Sequence, residues 1–166
     1  MTKIKCIVLD VDGTLTDGKV YLISGGNEIK VFDTLDGLIL TVIVKIGIKI
    51  IIITGRKSDI VNRRMTELGV TEIFQNISNK KELLTNYLND NKIDSKDVCY
   101  IGDDLSDLSA MKICGFSACP ANAVEEVKKA VDYVAKKKGG EGAVREIIEH
   151  ILKLNGKWEQ VLGLFE

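Results

Sequence analysis

Asp10 and Asp12 stand one residue apart in Asp10-Val11-Asp12-Gly13-Thr14, directly behind an apolar run over residues 4–9. That run reads as a buried β-strand, so both carboxylates fall just past its C-terminal end, in a turn that Gly13 keeps open. In an open α/β sheet this edge is where ligands bind. Two acids this close repel unless a cation or a shared proton compensates them. The pattern points to a hard divalent cation, with one carboxylate left able to attack an electrophile.

Three further segments follow strands or open a helix. Thr54-Gly55-Arg56 comes after the run 48–53. A hydroxyl and free backbone N–H groups at a strand end form a natural phosphate cradle. Lys80, after Ser78-Asn79, opens a helical segment and can neutralise an anion there. Taken alone it reads more simply as an exposed lysine, and chemistry does not choose between it and Lys81. Gly102-Asp103-Asp104-Leu105-Ser106-Asp107 follows the run 98–101. Its acids can bind a cation, or Asp104 can cap the next helix. Together these segments hold a nucleophile, an acid/base, metal ligands, a hydroxyl donor and a cation, which are the parts phosphoryl transfer needs.

The elements that must position these residues alternate along the chain. Strands are expected over 4–9, 48–53, 72–74, 98–101, 115–118 and 132–134, and helices over 36–46, 58–68, 79–91, 105–113, 123–131 and 142–154. This alternation predicts an α/β fold, a Rossmann-like three-layer sandwich with a mostly parallel central sheet. Segment 36–46 is apolar almost all round and should be deeply buried. Ser58 is a plausible N-cap and Gly69 a stop signal. Segments 19–23 and 28–32 break the alternation as a β-hairpin turning at Ser24-Gly25-Gly26-Asn27. Its apolar residues fall on both faces, so it is expected to pair with neighbouring subunits rather than pack on its own domain. The apolar tail 158–165 has no obvious place to go.

At 166 residues with a formal net charge of -1, the chain is expected to be one domain spanning 1–166, with no dedicated nucleic-acid or membrane-surface role. Lys136-Lys137-Lys138 reads as a solvated helix end or loop. No run of about 18 apolar residues and no signal-peptide pattern is present, which leads to an expected cytoplasmic location. Cys6, Cys99, Cys114 and Cys119 lack CxxC spacing, and the single histidine is His150, so a zinc site is not expected.

The order DxDGT, Thr, Lys, GDD resembles the haloacid dehalogenase superfamily of phosphohydrolases over nearly the whole chain. The resemblance implies roles. Asp10 would form an aspartyl-phosphate. Asp12 would protonate the leaving alkoxide and then activate water, while its backbone carbonyl binds metal. Thr54 would hydrogen-bond the transferring phosphoryl group and Lys80 would neutralise its oxygens. Asp103 would complete a Mg²⁺ site with Asp10 and Asp12. Asp104 would be a candidate further ligand, and Asp107 would orient Lys80 or the surrounding shell.

Most such proteins carry a cap domain. Here the first gap holds only the hairpin and the second, from Gly55 to Lys80, has room for one helix and one strand. The chain is therefore capless. Asp17-Gly18, residues 31–37, Thr54-Gly55-Arg56-Lys57-Ser58, Ser78-Asn79-Lys80 and residues 139–146 resemble the 3-deoxy-D-manno-octulosonate 8-phosphate phosphatase family. That resemblance implies lipopolysaccharide core synthesis, a homotetramer with hairpins joined in a central barrel, and a tail near a neighbour's site. It favours Lys80 over Lys81.

Gly55 and Arg56 are then assigned to substrate binding. Arg56 suits a sugar-acid carboxylate because it is permanently charged and bidentate; the competing reading is an exposed helix-start arginine. Asp36 and Gly37 are assigned to the site wall, against helix capping and a tight turn. Arg145 reads either as positioning the tail or as an ion pair with Glu141 or Glu149. Ile39 stands where the family commonly has Gly. A receiver domain of a two-component system fails on order, because its phosphoacceptor follows a middle strand that here ends in Thr54. An inactive phosphate-binding scaffold would be marked by loss of Asp10 or Asp12, and both are present. The remaining alternatives are a nine-carbon sugar acid 9-phosphate or a broad sugar-phosphate range as substrate.

Overall fold

The computed structural model describes residues 3–25 and 28–166. Its central sheet contains β1 (Cys6–Leu9), β4 (Lys49–Ile53), β5 (Glu72–Phe74), β6 (Val98–Ile101), β7 (Phe116–Cys119) and β8 (Tyr133–Val134), with β2 (Tyr21–Leu22) and β3 (Glu28–Ile29) forming a separate antiparallel pair. The helices are α1 (Thr34–Lys45), α2 (Asp59–Glu67), α3 (Lys80–Asp90), α4 (Leu105–Met111), α5 (Glu125–Ala130), α6 (Ala143–Leu154) and α7 (Trp158–Leu162). The large sheet runs β5-β4-β1-β6-β7-β8, and all its pairings are parallel.

Parallel strands covered on both faces need apolar residues at every position, and β1 and β6 are buried throughout. Successive side chains then serve opposite layers. Ile7 and Leu9, with Ile50, Ile52, Cys99 and Ile101, face α1, α2 and α6. Cys6 and Val8, with Ile51, Ile53, Val98 and Tyr100, face α3, α4 and α5. Leu9 pairs with both Ile52 and Ile101. The three central strands thus end level, and the loops after them emerge at one edge.

Several local expectations need adjustment. Helix α1 buries one side rather than its whole circumference: Leu35 and Leu38 are 46% and 45% exposed, while Ile39 fills the core. Packing on the sheet and α6 covers only part of a helix surface. Ser58 sits at the N-cap of α2 without a side-chain cap bond; its backbone N–H donates to Gln75 Oε1 at 2.7 Å. The hairpin strands contract to two residues each, because only one partner strand is available to either. Gly26 and Asn27 of the expected turn lie outside the described residues. The tail divides: Val161 is buried in the core, but Leu164 and Phe165 are exposed. Arg145 pairs with Glu149 at 3.3 Å and places its guanidinium over the Trp158 ring, so it also contacts the tail helix. Among the described residues, no helix is long and apolar enough to cross a membrane. All four cysteines are free thiols, and burial pushes those of Cys6 and Cys114 up to about 12.

Candidate active site

The level ends of β4, β1 and β6 bring Thr54, Asp10 and Asp103 to one edge. The Asp10 N–H is fixed on the Ile101 carbonyl at 3.0 Å, which ties the first acidic turn to the strand that delivers the second. Lys80, at the start of α3 and capped by Asn79, points inward and is buried, whereas Lys81 is exposed. Consecutive helical residues lie about 100° apart around the axis, so only one of the two can face the site. Lys80 Nζ lies 2.9 Å from Asp10 Oδ1 and 2.7 Å from Asp107 Oδ1.

Asp107 is the hub beneath the site. Besides Lys80 it accepts the Tyr100 hydroxyl at 2.8 Å and the N–H groups of Asp103 and Asp104 at 3.2 and 3.3 Å. The Thr14 hydroxyl donates to Asp103 Oδ1 at 2.9 Å. Gly13 has φ +93°, and a Cβ there would lie 2.0 Å from Asp103 Oδ2. Glycine is thus required for the close approach of the two acidic loops as well as for the turn.

Burial is the main reason the Asp10 carboxyl is pushed up to about 6; Asp107 adds to the rise and Lys80 opposes it. Asp103 rises to about 7, first by burial and then by Asp10. Burial alone would lower Lys80, but Asp10 and Asp107 outweigh it and hold the ammonium above its ordinary value. Asp10, Asp103 and Asp107 each offer a carboxylate oxygen within 4.8 Å of the others. Asp107 is already engaged by Lys80, Tyr100 and backbone N–H groups. Asp10 and Asp103 remain as acids held together in a poorly solvated place, and this all-oxygen set fits a hard divalent cation.

Thr54 is buried, with its N–H on the Phe74 carbonyl at 3.0 Å and its carbonyl accepting from Ile77 N at 3.1 Å. Gly55 follows it beside the Ile77 carbonyl. The Asp12 carboxylate is not one of the three clustered acids. It forms an ion pair with Lys30, and its Oδ2 lies 4.0 Å from Arg56 Nε. Arg56 in turn reaches Glu28 Oε2 at 2.8 Å. Asp104 accepts from the Leu105 N–H at 2.7 Å, in a capping box with Asp107 that starts α4.

Asp36 and Gly37 have their contacts elsewhere. Asp36 Oδ1 accepts the Arg145 N–H at 2.7 Å, joining α1 to α6, and Oδ2 has no partner. Burial pushes this carboxyl up to about 6 against the Arg145 bond. A Cβ on Gly37 would meet Arg64 Nη2 at 2.5 Å.

Three residues around the site escape sequence reasoning. Lys30 and Glu28 sit on the hairpin, where alternation places both on one face; that spacing was the available signal. Asn122 lies after β7. Its Nδ2 donates to the Gly13 carbonyl at 3.1 Å and its Oδ1 accepts the Gly139 N–H at 2.6 Å. A Cβ on Gly139 would lie 1.9 Å from that same carbonyl, so the glycine pair 139–140 braces the first acidic turn.

Residues 58–148 match the haloacid dehalogenase-like hydrolase family. The chain is 38% identical over 160 residues to the 3-deoxy-D-manno-octulosonate 8-phosphate phosphatase of Escherichia coli, covering 96% of this chain and 85% of that one. The corresponding Salmonella typhi protein is 37% identical over 166 residues, covering 98% and 88%. The structure of the Moraxella catarrhalis phosphatase, solved with magnesium, phosphate and the octulosonate sugar, superposes with TM-score 0.95 at 39% identity, over 99% of this chain and 95% of that one. The cobalt-bound Haemophilus influenzae phosphatase gives TM-score 0.89 at 36% identity, over 95% and 89%. Across almost its whole length, the chain therefore belongs to the 3-deoxy-D-manno-octulosonate 8-phosphate phosphatase family of the haloacid dehalogenase-like hydrolases.

Proposed function

We propose that the protein is a Mg²⁺-dependent phosphatase that hydrolyses 3-deoxy-D-manno-octulosonate 8-phosphate to the free sugar acid and phosphate, a step of lipopolysaccharide core synthesis. The observation that carries the chemistry is Lys80 bridging Asp10 and Asp107 beside Asp103, at the level ends of three parallel strands. The substrate rests on the likeness to phosphatases of that sugar acid.

In this reading Asp10 attacks phosphorus while the leaving sugar oxygen takes a proton from Asp12. Asp12 then accepts a proton from the water that hydrolyses the aspartyl-phosphate. Thr54 and the backbone after β4 hold the phosphoryl oxygens, and Lys80 neutralises them. Asp10, the Asp12 carbonyl and Asp103 would hold Mg²⁺, which supplies charge neutralisation at the phosphoryl group. Thr14 ties the two acidic loops together, Asp107 braces the second, and Asn122 ties the first to Gly139.

Arg56 is assigned to the substrate carboxylate. Glu28 already occupies part of its guanidinium, so the sugar acid would use the remaining donors or displace Glu28. Residues 1–166 form one catalytic domain, with the hairpin 19–32 and the tail 155–166 as assembly elements. Exposed Val20, Leu22, Ile23, Ile29 and Val31 support a homotetramer built on the hairpin, with sites completed by neighbouring chains. Free, buried thiols support a cytoplasmic enzyme.

The test is phosphate release with Mg²⁺ from the octulosonate 8-phosphate and from nine-carbon sugar acid 9-phosphates. Preference for the first by tenfold or more in kcat/KM is expected. A preference for the second would reassign the substrate and leave the chemistry standing. Replacing Arg56 with alanine should reduce turnover of the sugar acid ester much more than that of a phosphate ester lacking a carboxylate.

A further inference from the structure

Lys30 is an unusual cation for a hairpin whose Val20, Leu22, Ile23, Ile29 and Val31 are exposed. Its side chain is only 4% exposed, and its ammonium is paired with Asp12 Oδ1. Burying an ammonium costs several kcal/mol unless a partner compensates it. Glu28, in β3, reaches Arg56 and Lys30, just past the strand, reaches Asp12, while Ile29 and Val31 between and after them are 47% and 56% exposed. Asp12 is thereby held from outside its own loop, and its two oxygens are made unequal. Oδ1 faces the Lys30 ammonium; Oδ2 has Arg56 Nε no closer than 4.0 Å, beyond hydrogen-bond reach.

We propose that Lys30 is a positioning residue for the leaving-group step: by pairing with Asp12 Oδ1 from the hairpin, it fixes the orientation of the Asp12 carboxyl group. In that step an Asp10 oxygen forms a bond to phosphorus and the bond from phosphorus to the sugar oxygen breaks. The electron pair of the broken bond goes to the sugar oxygen, which takes a proton from the Asp12 carboxyl group. Lys30 keeps all its protons and remains a donor to Oδ1.

This rests on the phosphatase reading, and its test separates the two. Lys30→Met is compared with the native enzyme, with Mg²⁺, on two esters: the octulosonate 8-phosphate, whose alkoxide needs a proton to leave, and p-nitrophenyl phosphate, whose phenolate does not. Native turnover of the sugar ester tests the phosphatase and substrate reading by itself. For the variant, kcat/KM on the sugar ester should fall about 10- to 100-fold through kcat, with KM little changed. On the aryl ester it should fall by less than about threefold. Equal losses on both esters, or no loss on the sugar ester, overturn the proposal. Lys30→Gln, which keeps a donor against Asp12, should lose much less on the sugar ester than the methionine variant; an equal loss overturns the proposal, and Lys30→Ala carries the two-ester comparison should the methionine variant lose its native melting transition.

Discussion

The catalytic edge and the hairpin that overhangs it are built on opposite plans. At the edge, charged groups are buried and held by one another on strands that are apolar through and through. In the hairpin, apolar groups are exposed on two strands of two residues each. The edge is therefore complete in its own bonding but overloaded with negative charge, which a cation relieves. The hairpin is complete in charge, through Lys30 with Asp12 and Glu28 with Arg56, but not in its apolar contacts. The charged groups of the candidate site are thus held on the chain's own sheet, and the hydrophobic surplus is left on the hairpin that pairs with Asp12 and Arg56.

The contrast can be broken most severely at Asp10. Asp10→Asn should lower Mg²⁺-dependent phosphate release by about 10³-fold or more. Its melting temperature should hold or rise, since a buried, mutually repelling carboxylate is neutralised; turnover within tenfold of native would remove Asp10 from the nucleophile role. Next in size is Lys80→Met, which leaves Asp107 buried with its charge uncompensated. Urea denaturation should show a loss of about 3–5 kcal/mol, with activity abolished. A loss under about 1 kcal/mol would mean that the hub tolerates the missing cation.

The third effect is smaller and depends on pH. Asp10 at about 6 and Asp103 at about 7 both lie above the ordinary 3.8. Their contribution to metal-free stability is fully present below pH 3.8 and is lost as pH rises through 6 to 7. Metal-free protein should therefore gain more in melting temperature from Mg²⁺ at pH 8 than at pH 5, where the carboxyls still hold protons. An equal gain at both pH values would count against a site formed by these two acids. The smallest expected effect on fold stability comes from the hairpin. Combining Leu22→Asp with Ile29→Asp should change the unfolding free energy by less than about 1 kcal/mol, since both side chains are exposed. It should nonetheless reduce the mass measured by light scattering; an unchanged mass would move the assembly surface elsewhere.

The strands behind the candidate site are legible in the sequence. Residues 72–74 and 98–101 were expected as strands with the bounds of β5 and β6, because unbroken apolar runs between turn signals leave few other readings. Lys80 was harder, since helix spacing makes either of two adjacent lysines eligible, and only the docking of α3 turns one inward. Asn122 was missed because a single asparagine in a loop has no periodic partner; its meaning appears only when Gly13 and Gly139 come together from distant parts of the chain.

Local pattern in the sequence dictates the strands of the central sheet and marks the candidate groups that stand beside their ends. Packing in three dimensions selects which carboxylates converge and which take other partners. Asp107 becomes a buried hub, Asp104 a cap, Asp36 a tie to α6, and Asp12 a side chain held by Lys30. The physical reason is that an ionised group is costly to bury without a partner. The partner's identity depends on contacts between residues as far apart as 109 positions, as in the Arg145–Asp36 bond, and no local spacing encodes those.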